Sequence, residues 1–369
     1  MIIPVSKPSI TKLEKKYVGD ALESEWVSSL GKYVSKFEEK LAEFCNVNYA
    51  LSCSNGTTAL HLAIKALGLD KFSVAVPNFT FVSPYNMARL SNPEKIYLVE
   101  PCLTNKCIDI NDSSIIDQLN KYQPDIIIVV HSYGYSCDIN LLKKRLVYSP
   151  KIIEDCAEAH GARVNGNSVG RIGDIGCFSF YGNKILTSGE GGGLTTNNLD
   201  LYQSAKSLRD HAMDPNKKYF HTELGFNYRM TNLQAALGVA QLERASEILE
   251  DRERILESYR REIQTSGIFI NKDSKSGQDV NWLVCLEWEQ ENIEIDELIA
   301  FLRSRDIDSR PFFKPISSFP YVNDAILGEK RNSEKLSRNG INLPTYFNIK
   351  EADIKYIGKC VNEYFSKIT

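Results

Sequence analysis

The sequence lacks long apolar runs. Its longest strongly apolar stretch, residues 126–130, is far shorter than the roughly 20 residues that a helix needs to cross a bilayer. The opening residues, 1–7, also lack the apolar core of a secretory signal peptide. We therefore expect a cytoplasmic protein that has no membrane partner.

An excess of either charge is also missing. The chain has 44 Lys and Arg against 47 Asp and Glu, which gives a net charge of −3. A chain this close to neutrality has no general basic field to attract nucleic acid, so no nucleic-acid partner is expected. An anionic ligand would have to be held by a local cluster of cations.

Metal-ligand spacings are a third absence. None of the nine cysteines falls in a Cys-x-x-Cys pair, and the five histidines include no His-Glu-x-x-His. An odd number of cysteines is typical of buried free thiols in a reducing compartment. We expect no protein-bound metal.

Alternating strand and helix signals are what the sequence does have. Its 369 residues predict about two domains. The near-continuous apolar strands at 125–131 and 151–155 are typical of a mostly parallel sheet covered by helices on both faces. A helical stretch that opens at Met230 is expected to continue, with a kink, to about Ile263 and to bridge two domains. The sequence therefore predicts an α/β fold with a large domain at 1–245 and a smaller C-terminal α/β domain at 246–369.

A short polar segment, residues 54–58, lies between a predicted strand and a predicted helix. Gly56 and Thr57 in this segment suit a phosphate, because the first backbone N–H groups of a helix attract anions. The same pattern also fits ordinary helix capping. The glycine-rich run at 189–193 lacks the Gly-Lys-Ser/Thr ending of a nucleotide-binding P-loop.

Two charged residues stand in apolar surroundings. Asp155 ends an apolar strand, where a buried carboxylate needs a cationic partner, such as a protonated pyridine nitrogen, or serves to cap the following helix. Lys184 lies between an aromatic segment and a glycine-rich turn. A shielded lysine can form a Schiff base with an aldehyde, whereas an ordinary lysine is a solvated surface charge. A phosphate site, an aspartate and such a lysine are together what pyridoxal 5′-phosphate (PLP) requires.

Longer motifs strengthen this interpretation. They are Ser-Asn-Gly-Thr at 54–57, His-Ser-Tyr-Gly at 131–134, Glu-Asp-Cys-Ala-Glu-Ala-His-Gly at 154–161, Phe-Ser-Phe-Tyr-Gly-Asn-Lys at 178–184 and Gly-Phe-Asn-Tyr-Arg-Met-Thr-Asn at 225–232. With these motifs, the chain resembles the DegT/DnrJ/EryC1/StrS family of sugar aminotransferases, which are fold-type I PLP enzymes. The resemblance covers nearly the whole chain.

The resemblance implies roles for cofactor-binding residues. Lys184 would hold PLP covalently, and Asp155 would pair with the pyridine nitrogen. The residues expected around the rest of the cofactor are Glu158 at the ring hydroxyl, Phe81 stacked on the ring, and Gly56, Thr57 and Ser179 at the phosphate. Asn227 would reach that phosphate from the partner subunit, so the resemblance implies a homodimer with its active site at the subunit interface.

The resemblance also implies the reaction. L-glutamate would give its amino group to C4 of a nucleotide-linked 4-keto-6-deoxy sugar, in the first place GDP-4-keto-6-deoxymannose, yielding GDP-perosamine for surface polysaccharides such as the O-antigen of lipopolysaccharide. Cations expected to hold the nucleotide sugar are Arg229, Arg310, His211 and Lys314.

Departures from the family pattern at 281–282 and 317–318 leave the exact sugar and base open. The alternatives are an aminotransferase acting on a UDP- or dTDP-4-keto sugar, a PLP-dependent sugar dehydratase, and a non-catalytic PLP-fold binding protein. Dehydratases of this family have histidine in place of the lysine, so Lys184 counts against that alternative.

Overall fold

The computed structural model describes residues 2–273, 277–290, 293–328 and 331–367. The helices are α1 (Lys12–Glu23), α2 (Lys32–Cys45), α3 (Gly56–Ala66), α4 (Ser83–Leu90), α5 (Ser113–Tyr122), α6 (Ile139–Arg145), α7 (Leu199–Arg209), α8 (Asn232–Glu243), α9 (Ala245–Glu262), α10 (Ile295–Arg303), α11 (Asn332–Arg338) and α12 (Glu351–Phe365). None of these described helices is both long and apolar enough to traverse a lipid bilayer.

Strands alternate with the helices. They are β1 (Tyr49–Cys53), β2 (Ser73–Pro77), β3 (Lys95–Val99), β4 (Ile126–Val130), β5 (Lys151–Asp155), β6 (Arg163–Val164), β7 (Asn167–Ser168), β8 (Ile175–Ser179), β9 (Gly192–Thr196), β10 (Ile268–Ile270), β11 (Val284–Trp288), β12 (Arg310–Pro311), β13 (Ile326–Leu327) and β14 (Gly340–Leu343). The runs at 73–77 and 151–155 each predict a strand, and β2 and β5 have the bounds of these runs.

A large sheet forms the centre of the fold. Its strand order is β1-β9-β8-β5-β4-β2-β3-β13, and β9 is antiparallel to both of its neighbours while the other pairings are parallel. All five residues of β4 are buried, as expected for a strand with apolar cover on both faces. The prediction of a mostly parallel sheet flanked by helices is confirmed.

The parallel strands all end at one edge of this sheet. Ligands of such sheets bind beyond the carboxyl ends of the strands, because the connecting loops meet there. Gly56 follows β1 at the start of α3, and Asp155 is the last residue of β5. The topology therefore brings segments about 100 positions apart to one place.

A second, antiparallel sheet has the strand order β10-β11-β14-β12. It packs with α9, α10 and α12 around an apolar core of its own, which includes Ile255, Leu286 and Ile357. The kink predicted in the long helical stretch falls at Arg244, whose backbone angles (φ −104°, ψ 9°) separate α8 from α9. The proposed domain boundary at 245/246 lies next to this break and stays a prediction.

The thiols behave as the sequence predicts. All nine cysteines are free, and all except Cys102 are buried. Burial raises the pKa of the Cys53 thiol to about 12, because the thiolate would lose its hydration. These side chains therefore act as small apolar groups within the core.

Candidate active site

A cavity of about 420 Å³ lies at the carboxyl edge of the large sheet, where segments of the second sheet meet it. It is large enough for a cofactor with part of a substrate. Many of the residues singled out from the sequence line it: Gly56, Thr57, Phe81, Asp155, Glu158, Ser179, Lys184 and Arg310. The fold thus brings together residues that are up to 254 positions apart in the chain.

The first turn of α3 forms one side of the cavity. Asn55 caps this helix by accepting the backbone N–H of Thr58 at 2.8 Å, and the Thr58 hydroxyl accepts the N–H of Asn55 at 3.2 Å. Gly56 and Thr57 line the cavity just beyond the cap. A Cβ atom on residue 56 would lie 2.6 Å from the Cβ of Ser179, so glycine is what lets Ser179 approach the helix start. The capping contacts and a helix start that faces the cavity are therefore both present in this segment, and such a helix start favours an anion.

Asp155 is a buried carboxylate that reaches the cavity. Its side chain accepts the backbone N–H of Ala157 at 3.0 Å, which is the local capping contact that the sequence allowed. Burial raises the pKa of Asp155, while that N–H and the charge of Lys184 act in the opposite direction. A cation bound beside it in the cavity would favour the ionised form further.

Lys184 is not a solvated surface charge. Its Nζ atom lies 3.5 Å from a carboxylate oxygen of Glu158 and 4.1 Å from the centroid of the Trp282 ring. The other carboxylate oxygen of Glu158 accepts the backbone N–H of Tyr133 at 2.7 Å. Burial raises the pKa of Glu158 to about 7, although the Lys184 charge and this N–H both favour its ionised form. Glu158 can therefore change protonation state near neutral pH.

A buried hydrogen-bond network lies on the other face of β5. His131 accepts the backbone N–H of Cys137 at 3.1 Å and donates to Glu154 at 3.0 Å. Glu154 also accepts backbone N–H groups from Gly170, at 2.8 Å, and Gly173, at 2.6 Å. His131, Glu154 and Cys156 offer atoms close enough together to be metal ligands, but these hydrogen bonds already account for the arrangement. They fix the strand that carries Asp155.

An aromatic wall borders the cavity, and the sequence did not predict it. The ring of Tyr133 stacks on Phe313, with centroids 5.0 Å apart, and on Trp282, with centroids 5.7 Å apart. Phe81 meets Phe313 at 6.0 Å. These four rings come from four separate segments of the chain, so no local pattern shows that they meet. For Tyr133 alone the sequence offered a signal, because it lies in the His-Ser-Tyr-Gly motif at 131–134, just beyond the carboxyl end of β4.

Other predicted residues are not among the described residues that line the cavity. Arg229 forms an ion pair with Asp210, and His211 is exposed with a left-handed backbone (φ 60°). Asn227 and Lys314 are exposed. Their expected roles toward the cofactor phosphate and the nucleotide sugar stay predictions.

The residues present fit PLP. An anion site at a helix N-terminus, a buried carboxylate and a shielded lysine face one cavity. The carboxylate matches a protonated pyridine nitrogen, and the lysine amine matches an aldehyde carbon. The aromatic wall and the half-exposed Phe81 provide flat surfaces for a ring.

Comparisons with known proteins find relatives along nearly the whole chain. The family model described as "DegT/DnrJ/EryC1/StrS aminotransferase family" matches residues 8–362. The chain is 38% identical to the GDP-perosamine synthase of Vibrio cholerae, with 100% of both chains covered. It is 36% identical to the GDP-perosamine synthase of Escherichia coli O157:H7, with 99% of each covered.

A solved structure has the same fold. PseC of Helicobacter pylori, an aminotransferase involved in the biosynthesis of pseudoaminic acid, superposes with a TM-score of 0.91 and covers 100% of both chains at 23% identity. At that identity the likeness speaks for the fold alone. The family match and the two synthases settle membership: the chain belongs to the DegT/DnrJ/EryC1/StrS aminotransferase family, whose cofactor is pyridoxal 5′-phosphate.

Proposed function

We propose that this enzyme transfers the amino group of L-glutamate to C4 of GDP-4-keto-6-deoxymannose and so forms GDP-perosamine. The named synthases from Vibrio cholerae and Escherichia coli O157:H7 support this acceptor, because they match the chain end to end at 38% and 36% identity. The observation that carries the proposal is the cavity in which Lys184, Asp155 and the first turn of α3 meet.

Each of these groups has a task in the proposed reaction. When bound, PLP withdraws electrons from the substrate carbon and carries the amino group between the two substrates. Lys184 holds the cofactor, and its amine then moves a proton at the substrate carbon. Asp155 keeps a proton on the pyridine nitrogen, since a buried carboxylate is stabilised by a cation at hydrogen-bond distance.

Glu158 and the helix start complete the cofactor site. Glu158 lies 3.5 Å from Lys184 Nζ and faces the same cavity, where it would contact the ring hydroxyl. Gly56, Thr57 and Ser179 would hold the phosphate at the N-terminus of α3, where backbone N–H groups and the helix dipole favour an anion. Phe81 would cover one face of the ring.

The nucleotide sugar requires cations. Arg310 is exposed and lines the cavity, so its guanidinium can meet a diphosphate without losing its own hydration first. Arg229, His211 and Lys314 are proposed to act from the partner subunit or on the outer part of the substrate. We also propose a homodimer, in which Asn227, exposed and outside the cavity of its own subunit, reaches the cofactor phosphate of the partner subunit. We place the enzyme in the cytoplasm, where nucleotide sugars are made.

The test is a half-reaction. Enzyme loaded with pyridoxamine phosphate is mixed with GDP-, UDP- and dTDP-linked 4-keto-6-deoxy sugars, and formation of the amino sugar is followed by mass spectrometry. We expect rapid, stoichiometric product from GDP-4-keto-6-deoxymannose. An inert GDP sugar beside a reactive UDP or dTDP sugar would refute the acceptor, and elimination of water in place of amination would indicate a dehydratase.

A further inference from the structure

Trp282 has an unusual relation to Lys184. Its indole face lies under the lysine, with Nζ 4.1 Å from the ring centroid. Trp282 is 4% exposed, so this cation–π contact is shielded from water. Cation–π contacts are stronger when they are shielded in this way. Trp282 precedes β11 and belongs to the segment that the second sheet contributes to the cavity.

Three contacts hold the indole in place. Its Nε1–H donates at 2.8 Å to the backbone carbonyl of Asn183, the residue that precedes Lys184 in the sequence. Its ring also stacks on that of Tyr133, with centroids 5.7 Å apart. The buried guanidinium of Arg252 donates to the backbone carbonyls of Asn281 and Trp282. Burial lowers the pKa of Arg252 to about 10, so this group stays charged at neutral pH.

Trp288 shows what an ordinary core tryptophan looks like in the same part of the chain. It is 2% exposed, packs against Phe365 and belongs to the apolar core of the second sheet. Its ring is not among the residues that line the cavity. Burial alone therefore does not explain why Trp282 faces the lysine.

We infer that Trp282 is a positioning residue for Lys184, with its indole face holding the lysine Nζ beside Glu158 and toward the cavity. The inference rests on one part of the proposed function, namely that Lys184 moves a proton when glutamate gives up its amino group. The amine becomes an ammonium when it takes the proton from the substrate carbon. Attraction to the ring face then restricts the rotamers of this ammonium and keeps it close to the carbon that receives the proton.

The test compares W282F and W282L with W288L, using glutamate as the only substrate. Glutamate alone drives one half-reaction, which leaves the amino group on the cofactor, so the measured quantity is a single-turnover rate constant. Leucine removes the ring, so we expect the limiting rate constant of this half-reaction to fall about tenfold, which corresponds to about 1.4 kcal/mol, while the glutamate concentration that gives half of the limiting rate changes less than about twofold. The isotope effect with α-deuterated glutamate should rise, because proton transfer becomes slower. Phenylalanine keeps a ring face and should restore most of the rate.

A second readout needs no turnover. Apoprotein is mixed with PLP, reduced with borohydride at timed intervals, and the cofactor attached to Lys184 is measured by peptide mass spectrometry. W282L should attach the cofactor several times more slowly than the wild type. W288L should lose thermal stability but keep the isotope effect and the attachment rate.

An unchanged half-reaction rate constant, isotope effect and attachment rate in W282L would overturn the inference, as would equal changes in W288L. If W282L does not fold, W282F takes its place, and wild-type behaviour of W282F in the isotope effect and in the attachment rate counts against the role. A wild-type enzyme that ignores glutamate but still attaches PLP at Lys184 would refute the proposed function, while the attachment rates would still test Trp282.

Discussion

Two lysine–glutamate ion pairs lie mostly out of solvent in this molecule, but only one of them borders the cavity. Lys106 and Glu287 join the loop after β3 to β11 of the second sheet, with Nζ and carboxylate oxygen 2.8 Å apart. Lys184 and Glu158 face each other at 3.5 Å in the cavity. The side chains of the first pair are 0% and 3% exposed, and those of the second are 12% and 5% exposed.

The surroundings separate the two pairs. Lys106 is enclosed: its Nζ also donates to the Thr104 carbonyl at 3.3 Å and lies 4.5 Å from the centroid of the Tyr135 ring. Lys184 and Glu158 both border a cavity of about 420 Å³. A satisfied, enclosed pair contributes to the fold, and a looser pair beside a cavity can react with a ligand. Access to empty space, and not burial, therefore distinguishes Lys184, the candidate functional lysine, from Lys106.

The strongest expected effect comes from K184A. We predict that turnover falls by about 10³-fold or more, because both the covalent anchor and the general base are lost. The melting temperature should stay close to that of the wild type, since the lysine faces a cavity. The exposed Lys71 serves as the control, and K71A should be fully active. Turnover in K184A near that of the wild type would contradict the assigned role.

K106M should have the opposite effect to K184A, with stability lost and turnover retained. Removing one partner leaves the Glu287 carboxylate buried without its main cation, which costs about 3–5 kcal/mol of unfolding free energy. Chemical denaturation measures the loss, and turnover per folded, PLP-loaded chain should be nearly normal. The double variant K106M/E287L removes both charges and should recover part of the stability. A double variant less stable than K106M would argue against an ion-pair role.

E158Q sharpens the comparison through pH. The folded-state pKa of Glu158 is raised to about 7, so the folded chain holds a proton that the unfolded chain releases above about pH 4.5. Unfolding free energy of the apoprotein should therefore fall as pH rises from about 4.5 to 7, by up to about 3 kcal/mol. E158Q should lack this fall.

His160 contributes in the opposite direction. Burial lowers the pKa of His160 to about 3, so its contribution to the unfolding free energy rises with pH up to about 6.5. The wild type and E158Q share this contribution. The difference between wild type and E158Q, measured by urea denaturation across the pH range, isolates Glu158. A difference that does not change with pH would refute the shifted pKa.

K272A should have the smallest effect. Lys272 Nζ lies 3.7 Å from the second carboxylate oxygen of Glu287, and its side chain is 24% exposed. Partly solvated pairs of this kind contribute about 1 kcal/mol or less, so urea denaturation should show at most that loss. A loss as large as that of K106M would mean that Lys272, and not Lys106, is the principal partner of Glu287.

Much of the large sheet could be predicted from the sequence, because buried parallel strands appear as continuous apolar runs. The bounds of β2 and β5 followed from this alone. The second sheet was less predictable: the pattern at 280–287 indicates a strand over that whole range, but the strand in the structure is β11, Val284–Trp288. Residues 280–283 lie outside the sheet, and Trp282 and Leu283 line the cavity. This placement depends on tertiary packing, which local strand propensity does not predict.

The candidate site divides in the same way. Asp155, Lys184 and Gly56 could be predicted because each follows or joins an element with a clear local pattern. Tyr133, Trp282 and Phe313 could not, since their stacking depends on how the second sheet meets the first. The Lys106–Glu287 pair was invisible for the same reason: its partners are 181 positions apart.

The division of the cavity between two sheets has an evolutionary consequence. The carboxyl ends of the large sheet supply Asp155 and the α3 turn, while outer segments such as β12 of the second sheet supply Arg310. Changes in those outer segments can therefore select a different sugar or base without disturbing the strands that orient the coenzyme. Diversification of acceptors then needs few compensating changes in the protein interior.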